Sequence, residues 1–180
     1  MQKRLKPLEN LGGPITPIIF SLAPTQNIET LLDPSKTVTF NLDGTGRPQS
    51  WPWLKPTTSI LVWDPKSTGQ ITSGKQLLGS VTWWIFWPDG YHALDALDDN
   101  RDGQLTGEEL KGLAIWTDKN ANGKSDPGEV ISLESAGVTA LETRATAADG
   151  QSPMNAIGLR TKDGQLLPTW DWVVHPASTK

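Results

Sequence analysis

The chain has 180 residues, no cysteine and a formal net charge of −4, so no disulfide can staple it and it lacks the basic face that nucleic-acid binding needs. It contains no run of about eighteen apolar residues, which excludes a membrane-spanning helix by sequence. Nine tryptophans against three phenylalanines and one tyrosine give large apolar groups to a chain long enough for one sizeable core.

Residues 1–35 read as an extended arm. Pro7, Gly12, Gly13, Pro14, Pro17, Pro24 and Pro34 leave room for little regular structure beyond a helical turn at Asn27 to Leu32. The start is basic (Lys3, Arg4, Lys6), but the apolar stretch from Ile15 to Ala23 is short and broken by Pro17, so it is not read as a signal peptide. Residues 36–176 read as a single α+β domain. Val38, Phe40 and Leu42 alternate with polar residues as in a strand and lead into the glycine-rich turn Asn41 to Gly46. Ile60 to Trp63 form a second strand. Asp64 to Ile71 then has the outline of a calcium loop in which Lys66 and Thr68 replace the ligands, so the turn is expected without the ion.

A short helix is expected over Gly74 to Gly79. Trp83, Trp84, Phe86, Trp87 and Tyr91 then make the strongest apolar feature, read first as core and second as a docking patch for a membrane surface, glycan or protein. Asp89 caps a helix with Tyr91, Leu94 and Leu97 on one face.

That helix delivers the chain to two tandem twelve-residue loops. Asp98, Asn100, Asp102, Gly103 and Glu109 fit the D-x-[DN]-x-[DN]-G-x5-E spacing, and Asp118, Asn120, Asn122, Gly123 and Glu129 repeat it. A hard divalent cation takes six to eight oxygens, and alternate residues of a tight loop can supply them. The first set is Asp98, Asn100, Asp102, the Gln104 carbonyl and Glu109. The second is Asp118, Asn120, Asn122, the Lys124 carbonyl, Asp126 and Glu129. Two Ca²⁺ ions are therefore expected as cofactors. Residues 98–129 carry eight acids and four bases, which accounts for the whole net charge, and two such ions would neutralise it. Thr106 with Glu109 reads as a capping box, and Asp126 with Pro127 and Glu129 as a second helix start. Eight residues separate Glu109 from Asp118, so one helix over Gly107 to Trp116, of about 15 Å, is expected to serve both loops. A short helix near Ile131 to Ser135, a strand over Val138 to Thr143 and a hairpin turning at Asp163-Gly164 complete the expectation. Trp170, Trp172 and Val174 share one face of the hairpin's second strand.

Phe40 to Gly46, Leu61 to Asp64 with Gly69 to Ile71 and Leu77 to Gly79, and the run from Asp89 to Gly137 together resemble the EF-hand-like calcium-binding modules of bacterial secreted proteins. These modules occur in hemolysin-type (repeat-in-toxin) and cell-envelope proteins and in small bacterial EF-hand proteins. The resemblance implies a helix-loop-helix-loop-helix calcium unit over residues 89–137 and an extracellular or cell-envelope setting. It implies no reaction. His92 and His175 have no motif around them that suggests a nucleophile or base, so no enzyme is expected. The leading expectation is a structural or assembly module ordered by calcium, with a protein partner or larger assembly. The rival is a recognition module that docks a protein, glycan or membrane through its Trp-rich patch or its arm.

Overall fold

The computed structural model describes residues 14–178. Eleven strands and one α-helix are present among them: β1 (Ile18–Phe20), β2 (Leu32–Phe40), β3 (Gln49–Leu54), β4 (Ser59–Trp63), α1 (Gly90–Asp95), β5 (Gln104–Thr106), β6 (Leu113–Trp116), β7 (Val130–Ser132), β8 (Val138–Glu142), β9 (Ala147–Asp149), β10 (Ser152–Thr161) and β11 (Leu166–Asp171). Nine strands make one sheet in the order β5-β8-β10-β11-β1-β4-β6-β7, with β9 beside β10; β2 and β3 form a separate hairpin. All pairings are antiparallel.

Alternate residues of a strand point to opposite faces, and here both faces of the central strands are covered. Ile19, Ile60, Val62, Ala114, Trp116 and Trp170 pack beneath the β2–β3 hairpin, against Val38, Phe40, Trp51 and Trp53. Ile18, Phe20, Leu61, Leu113 and Ile115 pack on the other side with Tyr91, Ala93 and Leu94 of α1. Two-sided burial explains why these strands read as unbroken apolar runs. The first face is aromatic at its centre: Phe40, Trp53 and Trp116 lie with ring centroids 5.5 to 6.1 Å apart.

The expected α+β class is therefore corrected to a mostly antiparallel β fold. The helix expected between the loops is a 3₁₀ turn, Gly107–Leu110, followed by strand β6. Leu110, Leu113 and Ala114 fit a helical period, but Leu113 to Trp116 are four consecutive buried residues, the mark of a strand covered on both sides. The helix expected at Ile131 to Ser135 is β7 and the turn after it. Asp89 does cap a helix, its carboxylate accepting the His92 N–H at 3.0 Å.

The described part of the arm wraps into the domain. Ile18–Phe20 sits between β11 and β4, with Ile19 opposite Trp170 on one side and Ile60 on the other. Residues 1–13 lie outside the described residues. The aromatic stretch divides at the surface. Trp83 and Trp87 are half-buried and stack edge-on at 6.2 Å, while Trp84, Ile85 and Phe86 are 43%, 48% and 67% exposed. No helix of the described residues is long and apolar enough to cross a membrane.

Candidate functional site: two acidic loops of one design

The first loop leaves α1 and enters β5; the second leaves β6 and returns in β7. The second loop is thus the connection of a two-strand ladder in which Trp116 faces Val130. The Thr117 N–H donates to the Glu129 carbonyl at 2.9 Å and closes its base.

Both loops fold around their first aspartate. Asp98 accepts the N–H groups of Asp102 at 3.2 Å and Gly103 at 2.8 Å. Asp118 accepts those of Asn122 at 3.1 Å and Gly123 at 2.8 Å. The third positions act alike: the Asn100 side-chain oxygen accepts from Asp102 N–H at 2.9 Å, and that of Asn120 from Asn122 N–H at 3.2 Å. So do the fifth, where Asp102 accepts from Gln104 N–H at 2.9 Å and the Asn122 oxygen from Lys124 N–H at 2.8 Å.

The closing glutamates bridge the two ends of each loop. Glu109 accepts the N–H groups of Asp99 at 3.0 Å and Thr106 at 3.1 Å. Glu129 accepts those of Lys119 at 2.8 Å and Asp126 at 3.0 Å. The backbone follows the same course, left-handed at the fourth and sixth positions: φ is 60° at Arg101 and 89° at Gly103, 53° at Ala121 and 72° at Gly123. Two consecutive segments of different sequence reach one geometry because the same short polar side chains satisfy the same amides.

The loops differ in their surroundings. Asp98 and Asp118 are both buried, but Glu129 is buried whereas Glu109 is half-buried. Asp118 also accepts the Trp53 indole N–H at 2.6 Å, a bond between the second loop and the centre of the aromatic core. Asp126, at the rim, receives the side-chain amides of Asn120 and Asn122 at 2.8 and 2.7 Å. These two bonds hold its carboxyl below the usual aspartate range. Leu105 packs fully buried behind the first loop. Ser125, at the matching place of the second, accepts the Ile71 N–H at 2.9 Å.

Two further turns share part of the design. Asp64 accepts the N–H groups of Thr68 at 2.9 Å and Gly69 at 2.8 Å, and the Thr68 hydroxyl fills in at 3.0 Å. Asn41 accepts from Gly46 N–H at 2.9 Å. Asp64 to Ile71 thus keeps the loop shape, as expected from its sequence, with a hydroxyl where the other loops have an acid or amide.

Among the described residues no three His, Cys, Asp or Glu side chains come together as a metal-holding group. This corrects the expectation of assembled EF-hand calcium centres, along with the helices that should have flanked them. The physical reason is visible in the bonds above: each carboxylate is turned onto amides of its own loop rather than toward the other carboxylates. The donor set itself is all oxygen, and carboxylate oxygens have a second lone pair beyond the one each amide uses, so its chemistry fits a hard cation.

Trp53 has only a faint signal in the sequence. Trp51 and Trp53 alternate across Pro52 in β3, and that alternation was the available signal. Pro52, which removes a ladder donor, concealed it.

The SPM domain family matches residues 25–166 of the chain. The chain belongs to the SPM domain family. This replaces the EF-hand resemblance, since neither the family match nor the fold indicates an EF-hand. The chain is also similar to the iron-regulated protein FrpA of Neisseria meningitidis serogroup C, at 32% identity over 95 residues. That match covers 50% of this chain and 8% of FrpA, so the chain spans less than a tenth of that relative's length.

Proposed function

We propose that this SPM domain is a non-enzymatic structural module of a larger bacterial surface or secreted protein, and that each acidic loop takes one Ca²⁺ ion that locks the β fold. The observation that carries this reading is the backbone-amide hydrogen-bond pattern that the two loops share, from the first aspartate to the closing glutamate. Asp98, Asn100, Asp102, the Gln104 carbonyl and Glu109 would hold the first ion. Asp118, Asn120, Asn122, the Lys124 carbonyl, Asp126 and Glu129 would hold the second.

Bound calcium would supply charge neutralisation to loops whose acids outnumber their bases two to one. The chain's own residues do the rest. The amides donated to Asp98 and Asp118 hold those carboxylates in the loop centre, the glutamates tie exit to entry, and Trp53 transmits order in the second loop to the core. An ion that binds only the folded state stabilises it by about 2.7 kcal/mol per site at a hundred times its dissociation constant. The test is thermal unfolding with excess calcium and with chelator. The reading expects a melting temperature lower by about 10 °C or more in chelator, and an unchanged melting temperature would count against it.

A second reading, a recognition module, is favoured by the exposed Trp84-Ile85-Phe86 tip. Exposed aromatics of this size are characteristic of interaction sites. Binding of calcium-loaded protein to vesicles, glycans or a partner, abolished by Trp84→Ser with Phe86→Ser, would support it.

A further inference from the structure

Asp171 ends β11 with its side chain wholly buried. One oxygen, Oδ2, accepts the Gly90 N–H at 2.9 Å at the start of α1. The other, Oδ1, has no partner of hydrogen-bonding geometry among the described residues. The Thr16 hydroxyl faces the same carboxyl, and it already accepts the Ser80 N–H at 3.1 Å. The fit around the group is tight: a Cβ on Gly90 would lie 2.5 Å from Oδ1 and 2.8 Å from the Ile18 side chain. Among the described residues no lysine or arginine is found to act on the carboxyl. The charged or titratable groups that do are Asp89 and His92, of opposite effect, while buried Tyr91 is committed to the Thr169 carbonyl at 2.9 Å.

The location has a consequence for the aromatic tip. The segment carrying Trp84, Ile85 and Phe86 is fastened at its start by Ser80, whose N–H donates to the Thr16 carbonyl at 3.0 Å. It is fastened at its end by the Gly90–Asp171 bond. Thr16 and Asp171 belong to the same corner, so one buried carboxyl sits where both ends of the segment are tied down. Trp83 and Trp84 have φ of 56° and 61°, a conformation that β-carbon sterics disfavour and that the surroundings must hold.

We infer that Asp171 is carried as a neutral carboxylic acid in the folded protein and acts as a proton-operated anchor, whose ionisation releases the 80–90 segment and the aromatic tip it bears. An uncharged acid can place its proton on the otherwise orphaned Oδ1 and direct it toward Thr16, whereas a buried carboxylate leaves a full charge with a single amide donor. Burial raises the acid to about 7, with Asp89 adding to it and the Gly90 amide, Thr16 and His92 opposing. The sign follows from linkage. The folded-state affinity for the proton exceeds that of the unfolded chain, so this contribution to stability is complete below the ordinary aspartate range, near 3.8, and is lost as pH rises through about 7.

The test is hydrogen–deuterium exchange of the full chain, corrected for intrinsic rates, between pH 6 and 8.5. Protection of residues 80–90 in the wild type is expected to fall severalfold across neutrality while β4 and β6 stay unchanged. Asp171→Asn, which keeps the shape and cannot ionise, is expected to keep its protection at all pH values. A wild-type profile that is flat in this segment, or an identical fall in Asp171→Asn, would overturn the proposal. A second measurement on unaltered protein covers a variant that fails to fold. Infrared spectra at pH 6 should show a protonated buried-carboxyl band that disappears by pH 8.5, and its absence at pH 6 would equally overturn the proposal.

Discussion

The indole N–H of Trp53 donates to the buried carboxylate of Asp118 across 2.6 Å, joining a core residue of the β2–β3 hairpin to the first position of the second acidic loop. Trp53 also lies 5.8 Å from Trp116, which ends the strand that feeds that loop. Loop, strand and hairpin thus meet at one aromatic contact. Cation occupancy of the second loop is expected to perturb tryptophan emission, with the change reduced by more than half in Trp53→Phe. Emission indifferent to calcium would show that no such link operates.

The two tryptophans differ in what their indole N–H groups meet, and so in the cost of removing them. Trp53→Phe leaves Asp118 buried and short of a donor, which costs about 1–3 kcal/mol beyond lost packing. Trp116 has a buried indole N–H with no partner among the described residues, so Trp116→Phe relieves an unsatisfied donor as it loses volume. Chemical denaturation without calcium should therefore rank Trp53→Phe as the more destabilising, and the reverse order would contradict this account of the core.

The loop glycines separate strain from crowding. Gly103 and Gly123 both have positive φ, and alanine at either costs about 1–2 kcal/mol from backbone sterics alone. A Cβ on Gly103 meets nothing within 4 Å, whereas on Gly123 it would lie 2.8 Å from the Val38 Cβ. Gly123→Ala is expected to lower the melting temperature more than Gly103→Ala, because only the former also pushes on β2. Equal shifts would mean that the second loop yields without disturbing the hairpin.

What the sequence made legible was short-range. The two loops are spelled out by residues whose side chains satisfy nearby amides, and α1 by Asp89 and its apolar face. The turn at Asp163-Gly164 lies between β10 and β11, as its two residues demand. Sequence and structure part where one local pattern fits two structures. Leu110, Leu113 and Ala114 match a helix, yet Leu113 to Trp116 also match a strand buried on both faces, and packing against β4 decides between them. Ile18–Phe20 is central to the sheet but sits among prolines that suggest a loose arm; only long-range pairing with β4 and β11 reveals it. In the aromatic stretch Trp84, Ile85 and Phe86 are exposed while Trp83 and Trp87 are half-buried, a division that composition alone does not show.

The closing glutamates give a site-by-site readout. Glu129 is buried and Glu109 only half-buried, and each ties its loop exit to its entry. Glu109→Gln and Glu129→Gln each remove a charged oxygen from a proposed ligand and are each expected to weaken one calcium site by more than the roughly 10-fold of an outer-shell loss, leaving the other intact. Loss of both sites from either single substitution would mean that the loops do not act as two independent cages.

The most direct measurement is isothermal titration of the chain with CaCl₂ in chelator-treated buffer. Two ions are expected to bind per chain, and one in Glu129→Gln. No heat and no binding at millimolar calcium would contradict it.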